Sequence, residues 1–93
     1  MDSSLRISNY SFSLFPDRTG ISVNVTLSDG STGKVQRCVN RFNVMSPGHK
    51  LLTRIGFTHP DFTLIKNLYV QRNLKLREYR EAVNHGKGKA FIL

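Results

Sequence analysis

The side chains best suited to metal or nucleophilic chemistry, Cys38, His49, His59 and His85, stand ten or more residues apart. Zinc sites draw their ligands in closely spaced pairs, so this spacing predicts no metal centre. The acids are Asp2, Asp17, Asp29, Asp61, Glu78 and Glu81. Asp17 and Asp29 fall in turn-like stretches, Asp61 opens a helical pattern where it complements the helix dipole, and Glu78 and Glu81 lie on a polar helix face. A paired-carboxylate site, a nucleophile with its base or a glycine-rich phosphate loop would need residues that are not placed together along the chain. The expectation is therefore a non-enzymatic protein with no cofactor.

The cations carry more information. The chain holds 14 Lys+Arg against 6 Asp+Glu, a net charge of +8. Residues 1–33 sum to −1, whereas residues 34–89 carry twelve cations against Asp61, Glu78 and Glu81 for +9. A field so lopsided attracts polyanions, first the phosphates of DNA or RNA and second an acidic protein surface. Lys34, Arg37 and Arg41 cluster with Gln36 and Asn40, types that hold phosphates or reach base edges. Further on, Lys66, Arg77 and Arg80 fall, with Asn73, within roughly 60° of one another on a helical wheel. These six cations are the expected nucleic-acid contacts, DNA ahead of RNA. Val70, Leu74, Phe91 and Ile92 are the apolar residues expected to face a partner.

Elements to position them follow from periodicity. Tyr10, Phe12 and Leu14 alternate with serines up to the turn signal Phe15-Pro16-Asp17-Arg18-Thr19-Gly20. Ile21, Val23, Val25 and Leu27 alternate strictly with polar residues and stop at Ser28-Asp29-Gly30-Ser31. A third strand is expected over 32–40, with Val35, Arg37 and Val39 on one face and Lys34, Gln36 and Cys38 on the other. Leu5 and Ile7 are out of phase with Tyr10, so either a bulge or turn at Ser8-Asn9 resets the register or residues 5–7 form a separate strand. The period then changes. Ser46-Pro47 reads as a helix start and Gly56 as its stop, giving a short helix with Leu51, Leu52 and Ile55 on its apolar side. From Phe62, positions 62, 65, 69, 76, 79 and 83 form a helical stripe on which Arg72 also falls, and Asn84-His85-Gly86 ends it. Val70 and Leu74 lie off the stripe, so the helix either breaks near Gln71-Arg72-Asn73 or presents them outward.

The expected fold is thus α+β: a three-stranded antiparallel meander (1–45), a short and a longer helix (46–85), and a basic, apolar tail (86–93) able to add a short strand. Ninety-three residues fit one domain. One cysteine leaves no internal disulfide, and neither a leader-like start nor an apolar run of about 18 residues is present, so a cytoplasmic protein off the membrane is expected.

His59-Pro60-Asp61, between two expected helices with Lys50 and Arg54 on the first, resembles the loop of J-domain co-chaperones. Those domains are all-helical, whereas here a meander precedes, and the tripeptide is read as a helix N-terminus with Pro60 at its first position. A meander followed by a packing helix is also similar in architecture to integrase N-terminal DNA-binding domains, which lay their sheet in the major groove. Two other functions fit the same residues: a small viral or mobile-element inhibitor docking on an acidic or nucleic-acid-binding surface of a larger protein, and a self-associating subunit, such as a homodimer, joined through a sheet edge or the tail.

Overall fold

A computed structural model describes residues 6–45 and 51–93, with 51–53 described by their backbone. The expected helix start at Ser46-Pro47, together with His49 and Lys50, lies outside the described residues, as does Leu5. The fold is α+β, with an antiparallel sheet in the order β1-β2-β3-β4-β5 and one long C-terminal helix. The strands are β1 (Ile7–Leu14), β2 (Ile21–Leu27), β3 (Thr32–Cys38), β4 (Arg41–Met45) and β5 (Leu51–Ile55); the helix α1 is Phe62–Asn84.

The strand count differs from the expected three for two local reasons. The single strand expected over 32–40 ends at Cys38, and the chain reverses through Val39-Asn40, where Asn40 takes φ +39. Asparagine is among the few residues other than glycine that enter this region readily. The short helix expected to end at Ile55 is, over Leu51–Ile55, the edge strand β5, pairing Ile55 with Phe42. Five residues, Leu51-Leu52-Thr53-Arg54-Ile55, are too few for periodicity to separate strand from helix, and pairing with the free edge of β4 decides the outcome. The strand start resolves as a bulge between Ile7 and Asn9 within β1.

Strict alternation in β2 puts Val23, Val25 and Leu27 into the core with Phe42, Val44 and Ile55, and α1 covers them with Ile65 and Leu68. The helix runs unbroken through Gln71-Arg72-Asn73. Its buried stripe takes in Leu68, which the expected set omitted, while Val83, expected on the stripe, is exposed. Val70 and Leu74 are about half exposed. Among the described residues no helix is long and apolar enough to cross a membrane.

Two polar clamps fix α1 on the sheet. At its start Asp61, 4% exposed, accepts bonds from Arg6 Nε and Nη2 (3.0 and 2.8 Å) and from the Ile7 backbone N–H (2.9 Å), tying β1 to the helix. Asp61 is thus the N-cap residue rather than part of the first turn, and its side chain makes no capping bond. At the far end the Arg18 guanidinium lies 5.8 Å from the Tyr79 ring centre and donates to the Gly88 carbonyl at 2.9 Å. The tail is no strand. It forms a 3-10 turn, Gly88–Ala90, after which Phe91 packs on Tyr79 with ring centres 5.3 Å apart. Phe91, expected to face a partner, is therefore half-buried against its own helix, while Ile92 is 89% exposed.

Candidate functional site

Because cross-strand partners share a face, the register sorts the cations of the strands. Val25 pairs with Gly33, Val35 with Val44, and Arg37 with Phe42, which places Arg37 on the helix-covered face. Asn24 pairs with Lys34 and Lys34 with Met45, Gln36 with Asn43, Asn43 with Arg54, and Cys38 with Arg41. These belong to the open face, which continues through Thr32, Thr26, Asn24, Ser13 and Ser11. It is polar almost throughout. Asn24 Nδ2 donates to Ser13 Oγ at 2.8 Å, and Asn43 Nδ2 donates to Cys38 Sγ at 2.7 Å, so neighbouring strands are stitched across it.

The two faces meet at the end of the sheet where the β3–β4 turn, the β5–α1 connection and the first turns of α1 come together. A groove of about 260 Å³ there is lined by Arg37, Arg41 and Lys66 with Asn40, Phe57, Tyr69 and Val70 among others. Arg37 lies with its guanidinium carbon 5.9 Å from the Tyr69 ring centre, a cation–π contact that holds the charge at the groove mouth. The aromatic floor is continuous: Phe42 has ring centres 5.7 Å from both Phe62 and Tyr69, and Phe57 lies 4.9 Å from Phe62. A second groove, about 460 Å³, adjoins the first and adds Arg54, Thr58 and His59. Asn40, Arg41 and Phe57 line both.

No carboxylate lines either groove among the described residues. Asp61, close by in sequence, is engaged by Arg6, and its carboxyl lies below the ordinary range. Burial works to raise it, but the bonds from Arg6 and the Ile7 N–H, together with the charge of Arg6, outweigh that. His59 Nδ1 accepts the Asp61 backbone N–H at 3.0 Å, which makes the His-Pro-Asp tripeptide a device for orienting the start of α1. It joins a strand to a helix, and so departs from the all-helical setting of the J-domain loop. Among the described residues no three His, Cys, Asp or Glu side chains gather where they could hold a metal.

Three of the six expected cations, Arg37, Arg41 and Lys66, thus come together, with Val70 beside them. Lys34 lies on the opposite face from Arg37, its Nζ 6.0 Å from the Phe15 ring centre, yet both line a cleft of about 380 Å³ where β2 and β3 part. Arg77 and Arg80 are exposed, about 16 and 21 Å along α1 from Lys66 at the helical rise. Arg80 lines a separate shallow recess with Arg18 and Tyr79. Arg54, Phe57 and Tyr69 were not among the expected site residues. The helix expected up to Ile55 carries Arg54, which lies instead in strand β5, and the helical stripe offers Tyr69 only as core. The signal for Phe57 was an aromatic in a short connection between Arg54 and His59. No protein-family model, curated protein or solved structure matches the chain.

Proposed function

We propose that this is a non-enzymatic nucleic-acid-binding domain whose principal contact surface is the end of the sheet formed by Arg37, Arg41, Arg54 and Lys66. The observation that carries this reading is their convergence from β3, β4, β5 and α1 on two adjoining grooves with no carboxylate among the described lining residues. Cations on a solvated protein surface are usually interspersed with acids, which cancel their field. Here the field is left uncancelled beside aromatic rings, which suits a polymer of phosphates and bases. DNA is the expected polymer ahead of RNA. A second reading, an inhibitor or adaptor docking on an acidic protein surface, is favoured by Val70, about half exposed beside the same cations.

The deciding experiment is fluorescence anisotropy of labelled DNA and RNA across a salt series. Sub-micromolar binding near physiological salt, weakening with a slope that implies several phosphate contacts, is the expected result. Binding that vanishes at that salt for every polymer would reject the nucleic-acid reading and leave the acidic-protein alternative.

A further inference from the structure

We propose that the two grooves take single-stranded DNA, with an unpaired base stacked on Phe57 and the phosphates on either side of that base held by the flanking cations. This rests on the nucleic-acid reading above and narrows it from phosphates in general to an unpaired strand.

Phe57 is 73% exposed. Its ring lies 4.9 Å from that of Phe62, tilted by 52°. That contact anchors the side chain without hiding it, and Phe62 in turn touches Phe42. The ring is therefore held on a packed base and presented outward, which lowers the entropy lost when a ligand stacks on it.

Its position between charges is the second element. Phe57 lines both grooves, with Arg37 and Lys66 in one, Arg54 in the other and Arg41 in both. A strand crossing this ridge would put a base on the ring and a phosphate into the groove on each side. Asn40, also shared by the two grooves, would face the edge of that base with a side-chain amide.

Duplex DNA makes no use of such a ring. Its bases are stacked on one another and show only their edges, so a duplex would meet the cations and leave Phe57 in water. A single strand exposes the π-face of every base, and aromatic platforms flanked by cations are the physical means of holding it.

The test compares a labelled single-stranded DNA oligomer, the duplex of the same sequence and the single-stranded RNA of the same sequence, each with the intact chain and with Phe57→Ala and Phe57→Tyr. The expected result is tighter binding of the DNA strand than of the duplex, a loss of about 5- to 150-fold in strand affinity for Phe57→Ala, and near-complete retention for Phe57→Tyr. Duplex affinity and the thermal midpoint should change little in either variant. Equal binding of strand and duplex, with Phe57→Ala indistinguishable from the parent, would overturn the inference while leaving nucleic-acid binding intact. An RNA strand bound more tightly than the DNA strand would overturn the assignment to DNA. Absence of binding to all three polymers would overturn both this inference and the reading beneath it.

Discussion

Arg72 Nε donates a 2.8 Å hydrogen bond to the backbone carbonyl of Ile21, filling a place that the sheet leaves open. The β2–β3 ladder consists of three residue pairs, Asn24 with Lys34, Val25 with Gly33 and Thr26 with Thr32. Beyond it the strands part, and the Ile21 carbonyl, turned toward β3, meets no strand partner there. A guanidinium reaching from α1 supplies the missing donor, which explains a charged residue on the otherwise apolar stripe of the helix. Arg72→Met keeps the aliphatic stem and removes the donor. It should cost about 1 to 3 kcal/mol in urea unfolding, with an unchanged m-value. A midpoint equal to that of the parent would mean that water satisfies Ile21 equally well.

Asp61 makes stability depend on pH in a definite direction. Its folded-state carboxyl lies below the ordinary value of 3.8, so the contribution is fully present above that value and is lost as pH falls below it, through the folded pKa. Asp17 and Asp29 are lowered in the same sense, first by hydrogen bonds from the Thr19 and Ser31 side chains, and will add their own acid sensitivity. The difference between the parent and Asp61→Asn isolates the clamp: the variant should be less stable at neutral pH, and the gap should close on acidification below about pH 4. Circular dichroism melts over a pH series would read it. A gap that stays constant would assign the effect to packing instead of charge.

What the sequence made legible was governed by local periodicity. β2 could be read residue by residue, because Ile21, Val23, Val25 and Leu27 are each buried on one face and bounded by turns whose Asp and Gly do ordinary turn chemistry. The break after Cys38 carries no glycine at Val39-Asn40, and its one trace in the sequence is a change of phase, from Val35 and Val39 at odd positions to Phe42 and Val44 at even ones. The strand character of β5 depends on its partner β4, because so short a mixed segment takes its form from what it packs against. The same dependence governs the site. Charge and spacing single out Arg37, Arg41 and Lys66, which line one groove, but Arg54 and Phe57 adjoin them only once β5 is placed beside β4. Arg77 and Arg80 share a helical face with Lys66, and that is as far as a wheel reaches: it records angle and ignores the distance along the axis.

At Gly33 the neighbouring strand leaves no room for a side chain. A Cβ built there would lie 2.1 Å from the Met45 carbonyl oxygen and 3.2 Å from Val44 Cγ1. Neither the backbone oxygen nor the β3–β4 ladder can move without breaking neighbouring pairs, so Gly33→Ala should destabilise by at least about 1 to 3 kcal/mol. Differential scanning calorimetry would show a fall of roughly 4 to 8 °C in Tm for each kcal/mol. An undiminished Tm would show that the ladder shifts at no cost.

The six expected cations and Arg54 divide into groups that salt dependence can separate, with Lys34 apart from the rest on the open face beside Phe15. Arg37, Arg41 and Lys66 share the first groove, Arg54 joins Arg41 in the second, and Arg77 and Arg80 lie well along α1. A residue that holds a phosphate releases a counterion when it binds, so its removal should reduce the slope of log affinity against log salt by about one unit or slightly less. Alanine at Arg41 or Lys66 should do so. Alanine at Arg77 or Arg80 should leave the slope with a short oligomer unchanged and reduce it only with a strand long enough to run along α1. Arg37 is a harsher case, because its guanidinium also lies against Tyr69; Arg37→Lys keeps the charge and weakens the planar contact, and so separates the two roles. Equal slope losses at Arg41 and Arg80 with a short oligomer would place the polymer along the helix and away from the end of the sheet.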